Sequence, residues 1–173
     1  MYLKRLEMRG FKTFARRTDL ELEPGLTAVV GPNGVGKSNI ADAVIWALGE
    51  QSNRAIRAHT SQDVIFAGSD ARSPLGMAEV RLTVDNSDGA LPIDFSEVEV
   101  CRRLYRTGDS EYAINNSACR LRDIHDLFVD TGDYTGPAYS MAFSFGDFFS
   151  YKSGDTYNTA IVGRSGENQS SDG

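Results

Sequence analysis

Gly31-Pro32-Asn33-Gly34-Val35-Gly36-Lys37-Ser38 is the most informative stretch of this 173-residue chain, and it fits the pattern G-x-x-x-x-G-K-[ST]. Before it, residues 26–30 form a short apolar, β-branched run that predicts a buried strand. After it, residues 38–48 carry apolar side chains at the spacing of an amphipathic helix. A chance match in such a chain has odds of roughly one in two hundred, and the flanking strand and helix lower them further. We therefore interpret residues 31–38 as a phosphate-binding loop.

The residue types of this loop suit a bound phosphate group. Its glycines allow backbone conformations that turn successive N–H groups inward around an anion. The helix that begins near Lys37 adds unpaired N–H donors and the positive end of its dipole. Lys37 is expected to reach the β- and γ-phosphates of a nucleotide, and the Ser38 hydroxyl is expected to ligate Mg²⁺. The expected binding residues are Pro32, Asn33, Gly34, Val35, Gly36, Lys37, Ser38 and Asn39.

The composition predicts one domain in a reducing compartment. Its 40% content of hydrophobic residues suffices for a core. No apolar run approaches the length of a membrane-spanning helix, and residues 1–7 lack the apolar stretch of a signal peptide. Cys101 and Cys119 have neither metal-binding spacing nor a disulfide framework, so we expect two buried thiols and a cytoplasmic location. The net charge of −6 argues against an overall footprint for nucleic acid, so any DNA contact would be local or completed by other chains.

Hydrophobic patterning along the chain predicts an α/β fold. Apolar residues at 121, 124, 127 and 128 mark one face of a second helix, which ends by residue 132. Tight turns are expected at residues 107–110 and at Asn115-Asn116. We expect a mixed sheet around the phosphate-loop strand and helix, with an antiparallel sheet from residue 78 to residue 120 packed beside it. The remaining strands are predicted over residues 2–9, 18–22, 78–84, 98–105, 111–114 and 117–120.

A change in composition after residue 132 divides the chain into a domain, residues 1–132, and a tail, residues 133–173. The tail contains no leucine but eight aromatic residues, without a clear period. Residues 163–173 are rich in Gly, Ser, Asp and Asn and are expected to be disordered. If the tail is not part of the folded domain, its deletion leaves the unfolding midpoint nearly unchanged. If its aromatic side chains cover a face of the domain, deletion lowers the midpoint.

Several blocks in a fixed order make residues 1–132 resemble the N-terminal half of the head domain of structural maintenance of chromosomes (SMC) proteins. The phosphate loop alone would fit many kinds of NTPase. The string from Asp42 to Ser52 fits far fewer kinds of NTPase. The other matching blocks are Gly10-Phe11-Lys12-Thr13-Phe14, Asp63-Val64-Ile65-Phe66-Ala67-Gly68-Ser69, Tyr112-Ala113-Ile114-Asn115-Asn116 and Phe128-Val129-Asp130-Thr131-Gly132.

The resemblance implies a P-loop NTPase fold and an ABC-type ATPase head that works in chromosome condensation and segregation. Such heads bind ATP and Mg²⁺ between two copies, so the implied partners are the C-terminal half of the head, a second head and, weakly, DNA at the nucleoid. Lys12 and Thr13 lie where family heads approach the α-phosphate and base side of the nucleotide, Asp63 lies near the adenine edge, and Arg57 lies near the nucleotide and the DNA-facing surface. From sequence alone, a solvated loop arginine accounts for Arg57 as well, and ordinary surface charge accounts for Lys12 and Asp63. Arg54, Arg57 and Arg72 together suggest a local basic patch.

The chain departs from the family pattern where hydrolysis is carried out. Ser144 or Phe145 stands where family members carry a glutamine that contacts Mg²⁺ and the attacking water. The sequence also contains no apolar run followed by Asp-Glu and no Ser-Gly-Gly signature motif. Phosphoryl transfer depends on several such parts together. We therefore expect ATP binding without hydrolysis by this chain alone, and we assign no catalytic residue.

Two alternatives remain open at this point. The chain could be the head fragment of a recombinational-repair relative, which shares the phosphate loop and the coiled-coil plan. It could also be a non-functional remnant, as a truncated, frameshifted or chimeric gene product would be. Cooperative thermal unfolding with a midpoint raised by Mg-ATP separates a binding head from a remnant.

Overall fold

The computed structural model describes residues 1–128, 147–153 and 156–164, which contain nine strands, two α-helices and one short 3-10 helix. Every predicted strand and both predicted helices within residues 1–128 are found, with bounds within one residue at most ends. The burial predicted for the strand before the phosphate loop is wrong, because Ala28 and Val30 are exposed and Thr27 and Val29 are only half-buried. The strands are β1 Tyr2–Arg9, β2 Thr18–Glu21, β3 Leu26–Val29, β4 Met77–Asp85, β5 Glu97–Tyr105, β6 Ser110–Ile114, β7 Ser117–Cys119, β8 Asp147–Ser153 and β9 Thr156–Arg164; the helices are α1 Lys37–Ala47 and α2 Leu121–Phe128, and the 3-10 helix is Ser61–Val64.

Six strands form one antiparallel sheet in the order β2-β1-β4-β5-β6-β7. Alternation in β4 explains how this sheet builds the core. Ala78, Val80, Leu82 and Val84 all point to one face and are fully buried, while the residues between them are partly exposed. Helix α1 packs against β4 and β5 and contributes Ala43, Val44 and Ala47 to the same core. The sheet thus supports the helix that follows the phosphate loop.

The β6–β7 hairpin confirms the turn predicted at Asn115-Asn116. The two asparagines have φ values of 45° and 62°, which is the left-handed conformation that a two-residue hairpin turn of this type requires. The Asn115 side chain also accepts a hydrogen bond of 2.7 Å from the backbone N–H of Glu99, so the turn is fixed to β5.

Strand β3, which leads into the phosphate loop, belongs to a separate three-stranded sheet in the order β3-β9-β8. It pairs antiparallel with β9 from Leu26 opposite Arg164 to Val29 opposite Ile161. The α/β class is confirmed. All strand pairs among the described residues are antiparallel, however, so the parallel pairing of a mixed sheet is not found in this part of the chain. The antiparallel sheet also extends further than expected, because β1 and β2 join it.

The tail contributes the backbone of β8 and β9 to this second sheet. Gly163 and Arg164, at the start of the segment expected to be disordered, pair with Thr27 and Leu26. Residues 165–173 lie outside the described residues, so the expectation for them stays a prediction. The same holds for the position of Ser144 and Phe145.

The two cysteines differ in burial. Cys101 is a buried thiol as expected, but Cys119 is only half-buried because β7 is an edge strand; both cysteines are free. Burial raises the pKa of both thiols. Among the described residues, no helix has the length and apolar character needed to cross a membrane.

Candidate phosphate-binding site

The glycines of the loop adopt conformations that other residues rarely take. Gly34 and Gly36 have φ values of 88° and 95°, and Gly36 is the residue from which α1 begins. A Cβ atom at Gly36 would lie 2.5 Å from Oγ1 of Thr13, whereas a Cβ atom at Gly34 would meet nothing within 4 Å. Gly36 is therefore required by both its backbone conformation and its close approach to Thr13.

The start of α1 is available to an anion. No side chain caps its first turn, and no acidic residue lies in that turn, in the part of the chain that the structure describes. The first N–H groups of a helix have no partner within the helix and carry its positive partial charge. Together with the left-handed glycines before it, this helix end provides the donors that a polyphosphate requires.

Lys37 is held inside the loop. The residue is only 7% exposed. Its ammonium group donates to the backbone oxygens of Gly31 and Pro32, each at 2.5 Å. The cation thus lies within the concave side of the loop, and two neutral carbonyl oxygens are its partners there. Phosphate oxygens carry full negative charge and form stronger bonds to an ammonium group than carbonyl oxygens do.

Thr13 and Asn39 connect the segment after β1 to the helix. Nδ2 of Asn39 donates to Oγ1 of Thr13 at 3.0 Å, which places both side chains beside Gly36. The expected site residues Pro32, Asn33 and Val35 lie on the exposed side of the loop, and Ser38 is half-buried at the start of α1. The structure therefore brings Thr13, Asn39 and residues 31–38 together at one end of the helix.

Asp42 is the centre of a cluster that the sequence analysis did not predict. Its side chain is 5% exposed, and its Oδ2 atom accepts from the ammonium of Lys12 and, at 2.7 Å, from Nη2 of Arg57. Lys12 also donates to the backbone oxygen of Ile56, and Nη2 of Arg57 donates at 2.6 Å to the backbone oxygen of Ser38. Lys12 is therefore in a nearly buried ion pair rather than on the surface, and Arg57 is paired rather than freely solvated.

Both cations of this Asp42 cluster lie on strained backbone. The φ values of Lys12 and Arg57 are 48° and 52°, in the left-handed region that residues with a side chain rarely adopt. Such a conformation costs on the order of 1–3 kcal/mol at each residue. The contacts to Asp42, Ser38 and Ile56 offset this strain. Left-handed non-glycine residues of this kind are concentrated at functional sites.

Asp63 uses its carboxylate within its own turn. Oδ2 accepts from the backbone N–H groups of His59 and Thr60, both at 2.8 Å, and Oδ1 accepts from the Thr60 hydroxyl at 2.9 Å. These bonds, led by that from the Thr60 backbone, lower the pKa of Asp63. Asp63 therefore caps the 3-10 helix. The backbone N–H of Lys12 donates to the oxygen of the next residue, Val64, at 2.7 Å, so this helix adjoins the Asp42 cluster.

Arg102 anchors the other end of α1, and sequence reasoning missed it. The guanidinium donates from Nη1 to the backbone oxygens of Trp46 and Glu50, at 2.6 and 2.8 Å. It lies over the rings of Trp46 and Tyr112, 4.4 and 5.5 Å from their centroids, and burial lowers its pKa. Its inward position in β5, in register with Val98 and Val100, is the signal that could have revealed it.

The donor set at this helix end fits a polyphosphate, since it combines an ammonium group, uncapped N–H groups and left-handed glycines. Among the described residues, no group of three or more His, Cys, Asp or Glu side chains could hold a metal ion.

Comparison with known proteins agrees with the fold. Residues 2–134 match the family model for the RecF/RecN/SMC N terminal domain. The "Chromosome partition protein Smc" of Bacillus subtilis is 61% identical over 132 residues, which cover 76% of this chain and 11% of that protein. This chain therefore spans about a tenth of the length of the curated relatives that it matches.

Solved structures of SMC heads are also similar. A structure from work on "ATP-driven dimerization and DNA stimulated activation of SMC ATPases" is 40% identical with a TM-score of 0.72, over 74% of this chain and 78% of that one. An Smc head domain from Pyrococcus furiosus, bound to the C-terminal domain of ScpA, is 41% identical with a TM-score of 0.71, over 73% of this chain and 32% of that one.

The recombinational-repair alternative has weaker support. A structure of RecF with ATP is 20% identical with a TM-score of 0.55, over 73% of this chain and 29% of that one, so it shares the fold alone. The SMC resemblance is instead confirmed at high identity and over most of the chain. This chain belongs to the RecF/RecN/SMC N terminal domain family, as part of an SMC-type head.

Proposed function

We propose that this chain binds Mg-ATP at residues 31–38, as part of an SMC-type ATPase head that acts in chromosome segregation. The observation that carries the proposal is the placement of the Lys37 ammonium inside a left-handed glycine loop at the uncapped start of α1. The similar Bacillus subtilis protein and the similar SMC head structures support the same function.

Binding exchanges the partners of the loop. Lys37 leaves the carbonyl oxygens of Gly31 and Pro32 for the β- and γ-phosphates, and the N–H groups of the loop and first turn surround the phosphates. Pro32, Asn33, Val35 and Asn39 line this path. The Ser38 hydroxyl would hold a Mg²⁺ ion, which would neutralise charge on the phosphate oxygens.

Lys12, Thr13 and Asp63 are the expected contacts on the base side of the nucleotide. Thr13 is the best placed of the three, because it lies against Gly36 and Asn39. Lys12 and Asp63 hold hydrogen-bond partners within the protein, so each would have to exchange a partner or act through charge alone.

The partners of this function are the C-terminal half of an SMC head and a second head. One similar SMC structure is named for ATP-driven dimerization, which supports a second head as a partner of this chain. We infer a homodimer. Contact with DNA is expected to be weak, salt-dependent and independent of sequence, because the net charge is −6 and Arg57 is already paired with Asp42. Arg54 and Arg72 are exposed and available for it. A cytoplasmic, nucleoid-associated location follows from this function.

Replacing Lys37 by alanine is expected to weaken Mg-ATP binding about 10- to 100-fold, because charge-assisted hydrogen bonds contribute about 1.5–3 kcal/mol. Calorimetric titration of the purified chain measures this change. Lys4→Ala is the matched control, since Lys4 is half-exposed on β1 and its side chain pairs, among the described contacts, with Glu97 at the start of β5. Equal affinity in the wild type and Lys37→Ala would exclude the loop as the binding site.

The purified chain is expected to release phosphate from saturating Mg-ATP only at the background rate. Residues 31–38 position the phosphates, but the sequence has no glutamine at 144 or 145 and no Asp-Glu pair to polarise the attacking water. Adding a separate C-terminal half of an SMC head should restore activity only partly, and Ser144→Gln or Phe145→Gln should increase it further. Rapid hydrolysis by the chain alone that Lys37→Ala abolishes would contradict this expectation.

A further inference from the structure

Arg102 is a buried cation without an acidic partner. The residue is 8% exposed, and in the described part of the chain no carboxylate forms an ion pair with it. Its Nε atom also has no hydrogen-bond partner there. An arginine side chain stays protonated in proteins, so the charge remains and its burial costs free energy. The rings of Trp46 and Tyr112 offset part of this cost.

The C-terminal end of α1 does not need Arg102 as a cap. Gly49 has a φ value of 115°, and its backbone N–H donates to the oxygen of Trp46 at 3.1 Å. The backbone N–H of Glu50 donates to the oxygen of Ile45, also at 3.1 Å. These two bonds form a Schellman motif, which satisfies the last carbonyl groups of a helix. The oxygen of Trp46 would therefore keep a donor without Arg102, so capping alone does not account for a buried charge.

The charge of Arg102 lies at the negative end of the α1 dipole. Nη1 donates to the backbone oxygens of Trp46 and Glu50, at 2.6 and 2.8 Å, where α1 ends. Helix α1 has no basic residue in its own last turn, so β5 supplies the cation. A helix carries about half a negative charge at this end and about half a positive charge at the other. A full positive charge held against the C-terminal end therefore offsets the negative pole.

The opposite pole of the same helix is the start of the phosphate-binding site. Helix α1 has 11 residues and is therefore about 16 Å long. Charges at this separation still interact, because the protein interior between them screens less than water does. The negative pole of α1 would weaken the attraction of phosphates to the first turn, and Arg102 removes that opposition.

We propose that Arg102 is a positioning residue for the nucleotide: its buried charge neutralises the negative end of α1, so that the positive end at residues 31–38 attracts the phosphates without opposition. This inference rests on the proposed function and adds to it a residue that acts through α1 without touching the ligand. Because the attraction acts on charge, it is stronger for a triphosphate than for a diphosphate.

Arg102→Met removes the charge and keeps an apolar side chain beside Trp46 and Tyr112. We expect the Kd for Mg-ATP to rise about two- to fivefold. The Kd for Mg-ADP should rise only about 1.5- to 2-fold, since this ligand carries less negative charge. The midpoint of thermal unfolding should stay within about 3 °C of the wild type, because an apolar side chain in place of a buried charge is often neutral or stabilising. Calorimetric titration and thermal unfolding of the purified chain measure these changes.

Val100→Ala is the matched control. Val100 also points into the core from β5 and is fully buried, but it carries no charge. Its truncation should lower the midpoint by about 4–10 °C through lost packing and leave both Kd values unchanged. A purely structural role for Arg102 predicts the same result for Arg102→Met as for this control.

Unchanged Kd values in Arg102→Met, or an equal loss of affinity for Mg-ATP and Mg-ADP, would overturn the inference. If Arg102→Met lacks a cooperative unfolding transition, Arg102→Gln decides by the same criterion, because its amide group can donate a hydrogen bond but carries no charge. Lys37→Ala distinguishes this failure from failure of the proposed function: binding that depends on Lys37 but not on Arg102 overturns the inference alone. An absence of any Mg-ATP binding by the wild-type chain would overturn both.

Discussion

Alanine at Gly36 is expected to lower the free energy of unfolding by about 2–5 kcal/mol and to remove measurable Mg-ATP binding. A non-glycine residue in the left-handed region costs about 1–2 kcal/mol, and a side chain forced into occupied space costs about 1–3 kcal/mol more. Both apply here, because φ is 95° and the new Cβ atom would lie 2.5 Å from Oγ1 of Thr13. Denaturant unfolding and calorimetric titration measure the two losses.

Gly34 offers a matched control for this substitution. Its φ value of 88° is similar, but a Cβ atom there would meet nothing within 4 Å, so Gly34→Ala should show only the backbone strain, about 1–2 kcal/mol. Adding Thr13→Ala to Gly36→Ala should recover part of the stability, because it removes the hydroxyl that the new methyl group would strike. Equal losses at Gly34 and Gly36, without recovery, would show that the approach of Thr13 to Gly36 is not what requires glycine.

Deletion of residues 133–173 is expected to lower the midpoint of thermal unfolding by about 5–15 °C. Among the described residues, β9 is the strand that pairs with β3, and β3 leads directly into the phosphate loop. Loss of this pairing removes several backbone hydrogen bonds, each worth about 0.5–1.5 kcal/mol net, and about 1 kcal/mol corresponds to 2–4 °C for a chain of this size. Mg-ATP binding should weaken in parallel, since the loop would follow an unpaired strand.

Deletion of residues 165–173 alone is the control, because these residues follow β9 and leave the β3–β9 pairing intact. We expect this shorter deletion to leave the midpoint unchanged. A midpoint that stays the same after the longer deletion would instead mean that the tail is not part of the folded domain.

The sequence predicted the strands and helices of residues 1–128 closely because their signals are local. Alternation in β4 and the Asn115-Asn116 turn each depend on neighbouring residues, and each was confirmed. Membership of sheets depends on contacts between distant residues and was less well predicted. The pairing of β1 with β4 and of β3 with β9 has no signature within any one segment.

The site could be predicted only in part, for the same reason. The phosphate loop is a continuous motif, so its residues were recognisable. The Asp42 cluster joins residues 12, 42 and 57, and Arg102 reaches α1 from β5 across more than fifty positions of sequence. The helical pattern predicted Asp42 only as a position on α1 and gave no indication that its carboxylate is buried between two cations.

Thermal unfolding of the purified chain with and without Mg-ATP tests most directly whether residues 31–38 bind a nucleotide. At a ligand concentration of 100 times Kd, binding to the folded state stabilises it by about 2.7 kcal/mol, which corresponds to a rise of about 5–10 °C in the midpoint. We predict one cooperative transition, with a midpoint that Mg-ATP raises in the wild type and raises by only about 1–5 °C at the same concentration in Lys37→Ala, whose Kd is expected to be 10- to 100-fold weaker. A transition without cooperativity, or a midpoint that Mg-ATP shifts equally in both proteins or in neither, would contradict the assignment of residues 31–38 as a functional nucleotide-binding loop.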